Sequence, residues 1–181
     1  MLSPYQGNQF RVTSLYGIMR NLNDGRGTLP HRGLDLVGID SKTVVAIAPG
    51  TVVRSRILNK ATDTTGTWQW GNYVAIQQTD GNVCYYCHLK ERHVKVGDKV
   101  KAGDIIGIEG NTGYVWSAYG GDGRHLHLEI RNKNGVPFNI ATYLGIKNAT
   151  GVYTKPSQQI QQIDYGKEVC RICGFEAQTK Q

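Results

Sequence analysis

Histidine is scarce in this chain of 181 residues, and most of its five copies fall into patterns. His31 and Asp35 form H-x-x-x-D, and His125 and His127 form H-x-H flanked by Leu126 and Leu128. Successive side chains of a strand point to opposite faces. On a strand, His125 and His127 therefore project from one side while the two leucines face the other. By the same alternation His88 shares a face with Tyr86, which lets several imidazoles and a carboxylate converge across neighbouring strands. Imidazole nitrogens with a carboxylate oxygen suit Zn²⁺, which in catalytic sites takes three protein ligands and keeps one position for water. Water held there becomes acidic enough to act as a nucleophile near neutral pH. The plainer reading is that each motif alone is a core or surface histidine. Both motifs in a chain with so few histidines favour metal chemistry. His93, beside Arg92, reads as a surface residue.

The elements that must hold these residues are short and extended. Glycine is abundant, 23 of 181 residues, and is interspersed with runs of Val, Ile, Thr and Tyr, the pattern of many tight turns between strands. The clearest hairpin joins residues 72–78 and 82–89 through Asp80-Gly81. Residues 34–36, 43–48, 51–57 and 126–131 also read as strands, with Pro49-Gly50 closing one of them. Residues 94–107 read as two short extended pieces with a turn at Gly97-Asp98. Further turns are expected at Asn23-Asp24-Gly25 and Asn134-Gly135. Residues 1–30 read as a loop-rich entry, 60–69 and 114–124 as loops, and 138–144 as a short helix. After Gly145 the character changes. Lys155-Pro156-Ser157 and the Gln-rich run 158–162 read as a linker, and 164–178 as a partly helical tail too short to bury a core. The expectation is an all-β fold, a mostly antiparallel sheet or open sandwich over residues 1–146, with 147–181 as linker and tail.

Composition narrows the class. Apolar residues make up 39% and charged residues 19%, which excludes a disordered or membrane-embedded chain. No apolar run approaches the length of a membrane span. The start, MLSPYQGNQF, lacks the basic and apolar parts of a signal peptide. The expectation is synthesis in the cytoplasm, with the four cysteines as reduced thiols. Cys84 and Cys87 face opposite sides of a strand and do not readily share an ion with Cys170 and Cys173. The net charge of +7 and pI of about 9.3 favour a polyanionic partner. The basic residues are scattered rather than blocked, which argues against nucleic acid.

Four segments together resemble the lysostaphin-like M23 peptidases. They are Thr13-Ser14-Leu15-Tyr16-Gly17 with His31-Arg32-Gly33-Leu34-Asp35-Leu36, then Tyr86-Cys87-His88-Leu89, then the stretch from Val96-Gly97-Asp98 to Ile106-Gly107, and finally Gly123-Arg124-His125-Leu126-His127-Leu128-Glu129. They occur in the family's order and cover roughly residues 10 to 145. The resemblance implies that His31, Asp35 and His127 hold one zinc ion per chain. It implies that His88 and His125 are a catalytic pair, one acting as general base and both able to stabilise an oxyanion. It implies a sheet lining a substrate groove, and an endopeptidase that cuts peptide bonds in the stems or cross-bridges of peptidoglycan. The partner is then the cell wall, not nucleic acid or membrane, and the protein is a monomer. With no signal peptide, a phage or prophage lysin is expected, reaching the wall after release or as a virion component. The loop from Tyr114 to Gly123, with Trp116 and Tyr119, is longer than the family's usual linker and is expected to wall the groove. Arg124 stands where the family often has a small residue. Two alternatives remain. One is a non-catalytic wall-binding or amidase-activating relative of the same fold. The other is a biotinyl or lipoyl carrier, which shares the G-D-x-V-x-x-G segment but leaves the histidines unexplained.

Overall fold

The computed structural model describes residues 3–21, 27–64, 66–117 and 121–155. The strands in chain order are β1 (Gln9–Ser14), β2 (Met19–Asn21), β3 (Thr28–Pro30), β4 (Leu34–Gly38), β5 (Thr43–Val45), β6 (Gly50–Arg56), β7 (Tyr73–Gln78) and β8 (Val83–Cys87). They continue with β9 (Glu91–Arg92), β10 (Lys99–Val100), β11 (Ile105–Ile108), β12 (Leu126–Arg131), β13 (Pro137–Phe138) and β14 (Gly151–Thr154). A short α-helix, α1 (Ile140–Leu144), is capped by the Asn139 side chain, which accepts from the Ala141 amide. Among the described residues no helix is long and apolar enough to cross a membrane.

The large sheet runs β10-β6-β7-β8-β12-β4-β1-β14, with β13 also on β12, and its pairs are antiparallel. A second sheet, β5-β11-β9, and the hairpin β2-β3 complete the fold. This is the mostly antiparallel all-β architecture that the turn-rich sequence predicts. One face of the large sheet is the core. Leu34 and Leu36 of β4, Tyr86 of β8, and Leu126, Leu128 and Ile130 of β12 are fully buried there. Val44 and Ile106 of the second sheet and Ile140 and Leu144 of α1 join the same cluster.

That burial fixes the register. Leu126, Leu128 and Ile130 each contribute about 1.5–3 kcal/mol by leaving water. A one-residue slip of β12 would expose all three and bury His127, Glu129 and Arg131 instead. In the observed register Leu126 lies opposite Leu36, His127 opposite Asp35, and Leu128 opposite Leu34. The apolar side of the pattern therefore places Asp35 and His127 directly across from one another on the other face. Gly33 lets the two chains approach: a Cβ there would lie 2.4 Å from the Leu128 carbonyl oxygen and 2.9 Å from Cε1 of His127.

The structure departs from the sequence expectation in several places. The described part of the first 30 residues contributes three strands rather than a loop-rich entry. Phe10 and Val12 point into the core while Arg11 and Thr13 point out, and β1 is an internal strand between β4 and β14. The sheet also runs past the expected boundary at residue 146. β14 pairs with β1 along Gln9, Phe10, Arg11 and Val12, and the Tyr153 ring stacks on Phe10 at 5.8 Å. The chain does turn at Gly97-Asp98, but both strands of this stretch follow that turn: β10 joins the large sheet, β11 the second one, and a further turn closed by Asp104 on Lys101 separates them. The expected linker and tail beyond residue 155, with Cys170 and Cys173, lie outside the described residues, as do the turn at Asn23-Asp24-Gly25 and Tyr119. Cys84 and Cys87 are buried free thiols on opposite faces. Burial pushes the Cys84 thiol up to about 12, which leaves it inert.

Candidate metal centre

Five side chains meet on the open face of the large sheet. His31 precedes β4, Asp35 lies within it, His127 lies in β12, His125 stands just before β12, and His88 follows β8. His31, Asp35 and His127 form the group of potential metal ligands found among the described residues. Asp35 Oδ1 lies 3.0 Å from His127 Nδ1 and 3.2 Å from His31 Nε2, and the two nitrogens are 2.9 Å apart. His125 Nε2 stands at the edge of this triangle, 3.7 Å from Asp35 Oδ1. The His88 and His125 ring centroids are 4.6 Å apart.

Hydrogen bonds on the outward side of each ring set its tautomer. The Nδ1–H of His31 donates to the Leu15 carbonyl at 2.7 Å, which leaves Nε2 with its lone pair toward the triangle. The Nδ1–H of His125 donates to the Gly123 carbonyl at 2.7 Å, and that of His88 to the Thr112 carbonyl at 2.8 Å. Both keep Nε2 as the free base. In His127 the roles are reversed: Nε2 faces the Glu129 carboxylate at 3.4 Å and Nδ1 faces the triangle. The remaining oxygen of Asp35, Oδ2, accepts from the Arg20 guanidinium at 2.6 Å, and Arg20 also donates to the Ser14 hydroxyl.

The electrostatics follow from this packing. Burial favours a protonated Asp35, yet its close contacts with His127 and His31 hold its carboxyl well below the ordinary range. Burial, reinforced by His125 and His127, pushes His88 down to about 3, so it is neutral at any physiological pH. Burial also lowers His31. Burial opposes protonation of His127, but Asp35 and Glu129 raise it to about 9, so the triangle offers two imidazole lone pairs and one carboxylate once the Nδ1 proton leaves. Tetrahedral zinc, with bonds of about 2.0–2.1 Å, sets its ligands roughly 3.3 Å apart. The observed separations and donor chemistry fit that ion.

The structure brings together all five residues singled out from the sequence, with one correction. Tyr86 and His88 do not share a face. Tyr86 points into the core and its hydroxyl accepts from the Ile47 amide at 2.9 Å. His88 has left the strand with φ of 63°, a left-handed conformation that turns its ring to the opposite side. Its amide donates to the Trp70 carbonyl at 2.8 Å, and Leu89 donates to the Asn72 carbonyl. Thr112 buttresses this turn: its hydroxyl accepts from the Asn72 amide and donates to the Leu89 carbonyl, each at 2.9 Å. Arg20, Thr112 and Arg131 are site residues that the sequence reading did not single out. The alternation of β12 carries the one usable signal, since it places Arg131 on the face of His127.

Comparison with known proteins agrees with this geometry. Residues 29–140 match peptidase family M23. The chain is 32% identical over 123 residues to the peptidoglycan DD-endopeptidase ShyA of Vibrio cholerae, covering 68% of this chain and 25% of that protein. It is 34% identical over 118 residues to stage II sporulation protein Q of Bacillus subtilis, covering 62% of this chain and 36% of that protein. It therefore spans about a quarter to a third of these relatives. Among solved structures, the catalytic domain of lysostaphin from Staphylococcus simulans superposes with a TM-score of 0.58 at 28% identity, over 80% of this chain and 99% of that one. The carrier reading of the G-D-x-V-x-x-G segment falls away, because the matched stretch contains that segment and all five site residues. Fold, ligand triangle and family match coincide, and the chain belongs to peptidase family M23.

Proposed function

We propose that this chain is a zinc-dependent endopeptidase that hydrolyses peptide bonds in peptidoglycan stems or cross-bridges. The observation that carries the reading is the complete set of five polar side chains. His31, Asp35 and His127 supply three inward-facing ligand atoms, and two further imidazoles stand beside them with free Nε2 atoms. Zinc, when bound, supplies Lewis-acid polarisation of a peptide carbonyl and an acidified water. The protein's own groups do the rest. His125 Nε2, at the edge of the triangle, takes the proton of the attacking water and returns it to the leaving amine. His88 is held neutral by burial, so of the two it is the acceptor that orients, and His125 is the proton carrier. Once protonated, His125 also donates to the oxyanion of the tetrahedral intermediate. Arg20 holds Asp35 by its outer oxygen and keeps the inner one on the triangle.

The substrate class rests on the relatives, one a peptidoglycan DD-endopeptidase and another an antimicrobial peptidase. The net charge of +7 suits an acidic wall. The rival is a binding module of the same fold, and the likeness to a protein named for sporulation motivates it. Digestion of purified peptidoglycan from several bacteria, with mass spectrometry of the fragments, separates the two. Newly freed peptide termini that appear with the parent protein and not with His125→Ala support the enzyme. Wall binding without fragments from any source supports the module.

A further inference from the structure

Behind His127 runs a second line of contacts. The two oxygens of Glu129 are divided between neighbours on the same strand face. Oε2 faces His127 Nε2 at 3.4 Å, and Oε1 accepts from the Arg131 Nε–H at 2.5 Å. Glu129 is 3% exposed, so no bulk water competes for either oxygen. Arg131 is itself fixed. Its guanidinium carbon lies 4.9 Å from the Tyr85 ring centroid and 5.3 Å from that of Trp70, and those two rings meet edge to face at 5.3 Å. Cation–π contacts of this kind hold a guanidinium in one orientation.

We infer that Glu129 is a positioning residue for the metal centre, with Arg131 as the lock that dictates which oxygen it turns to His127. The inference rests on the zinc reading above and adds a device to it. Only an acceptor opposite Nε2 keeps the ring proton there and leaves the Nδ1 lone pair facing the triangle. A donor in that place would drive the proton to Nδ1 and close the ligand. A carboxylate satisfies both neighbours because each of its oxygens accepts. An amide cannot. If a glutamine gives its oxygen to Arg131, its NH₂ faces His127 and selects the wrong tautomer. Removing Arg131 frees the amide to turn round. The device therefore predicts an inversion that mere packing would not produce.

The test measures zinc affinity by competition with a chromophoric chelator, together with the visible spectrum of the Co²⁺-substituted protein. Glu129→Ala and Glu129→Gln should each weaken zinc by roughly 10- to 100-fold and broaden the cobalt bands, whereas Arg131→Ala alone should cost far less. Glu129→Gln combined with Arg131→Ala should bind zinc more tightly than Glu129→Gln by itself. Parent-like affinity in Glu129→Gln, or a double variant no better than the single one, overturns the inference. Should Glu129→Gln fail to fold, parent-like affinity in Glu129→Ala overturns it equally. A parent protein that binds no zinc sinks the metal reading instead, so the two failures are distinct.

Discussion

His31 Nε2 and His127 Nδ1 lie 2.9 Å apart, with the Asp35 carboxylate 3.2 and 3.0 Å from the two. Such a triangle is stable only with positive charge inside it. In the metal-free protein that charge is a proton. Burial opposes it, but Asp35 and Glu129 raise His127 to about 9.

Zinc must displace this proton to reach Nδ1. Calorimetry at pH 7 in buffers of different ionisation enthalpy should show release of close to one proton per zinc. The sign for stability follows from the raised value. The proton's contribution to the metal-free fold is complete below pH 6.5 and fades as pH climbs through about 9. Melting temperatures of the EDTA-treated protein should therefore fall across that window, while those of the zinc form should not. Metal uptake without proton release would show that His127 is already neutral in the metal-free protein and refute the Nδ1 proton.

His125 and His127 stand two residues apart yet are predicted to fail differently. His125→Ala should lower kcat by roughly 100- to 10,000-fold with about one zinc per chain retained. His127→Ala should lose both metal and activity. Parallel metal analysis and peptidoglycan digestion give the answer, and a His125→Ala protein that cleaves at the parent rate removes that residue as the base.

Gly33, immediately before β4, packs tightly against β12. A methyl group there would press on the Leu128 carbonyl oxygen from 2.4 Å and on the His127 ring from 2.9 Å. Gly33→Ala should cost about 1–3 kcal/mol of stability, as overpacking does, and weaken zinc through displacement of His127. Urea unfolding and chelator competition read the two effects. A variant matching the parent in both would show that the strands can part without cost.

Thr112 touches His88 only through its carbonyl, but its hydroxyl fixes the segment to Asn72 and Leu89. Thr112→Val keeps the shape and leaves a buried donor and acceptor unmet, at about 1–3 kcal/mol. Turnover should fall while zinc affinity stays, since no ligand is touched. A loss of zinc equal to the loss of rate would place Thr112 in metal retention instead.

Much of this was readable from residue types and spacing, and the exceptions have physical causes. H-x-H and H-x-x-x-D announced the triangle because it is built from side chains and strand alternation aims them. Asp80-Gly81 announced the hairpin because few residue pairs accept its backbone angles. His88 reaches the cluster by a different geometry from the one expected, since alternation cannot foresee a residue that leaves the strand with positive φ. Thr112 was invisible because it contributes a carbonyl that any residue possesses. Arg20 was invisible because its reach to Asp35 depends on how β2 and β3 fold back. β1 was passed over because Phe10 and Val12 are a short alternation without a turn signal nearby, and β14 because its pairing with β1 spans nearly the whole described chain.

The left-handed backbone at His88 constrains how this site can decay. Most residues placed there would give up an imidazole and also incur torsional strain, while asparagine and glycine accept the angle readily. Drift toward a silent descendant with an intact scaffold should therefore pass through those two replacements. A pool of folded but inactive variants, sequenced at this codon, should be rich in Asn and Gly and poor in Val and Ile.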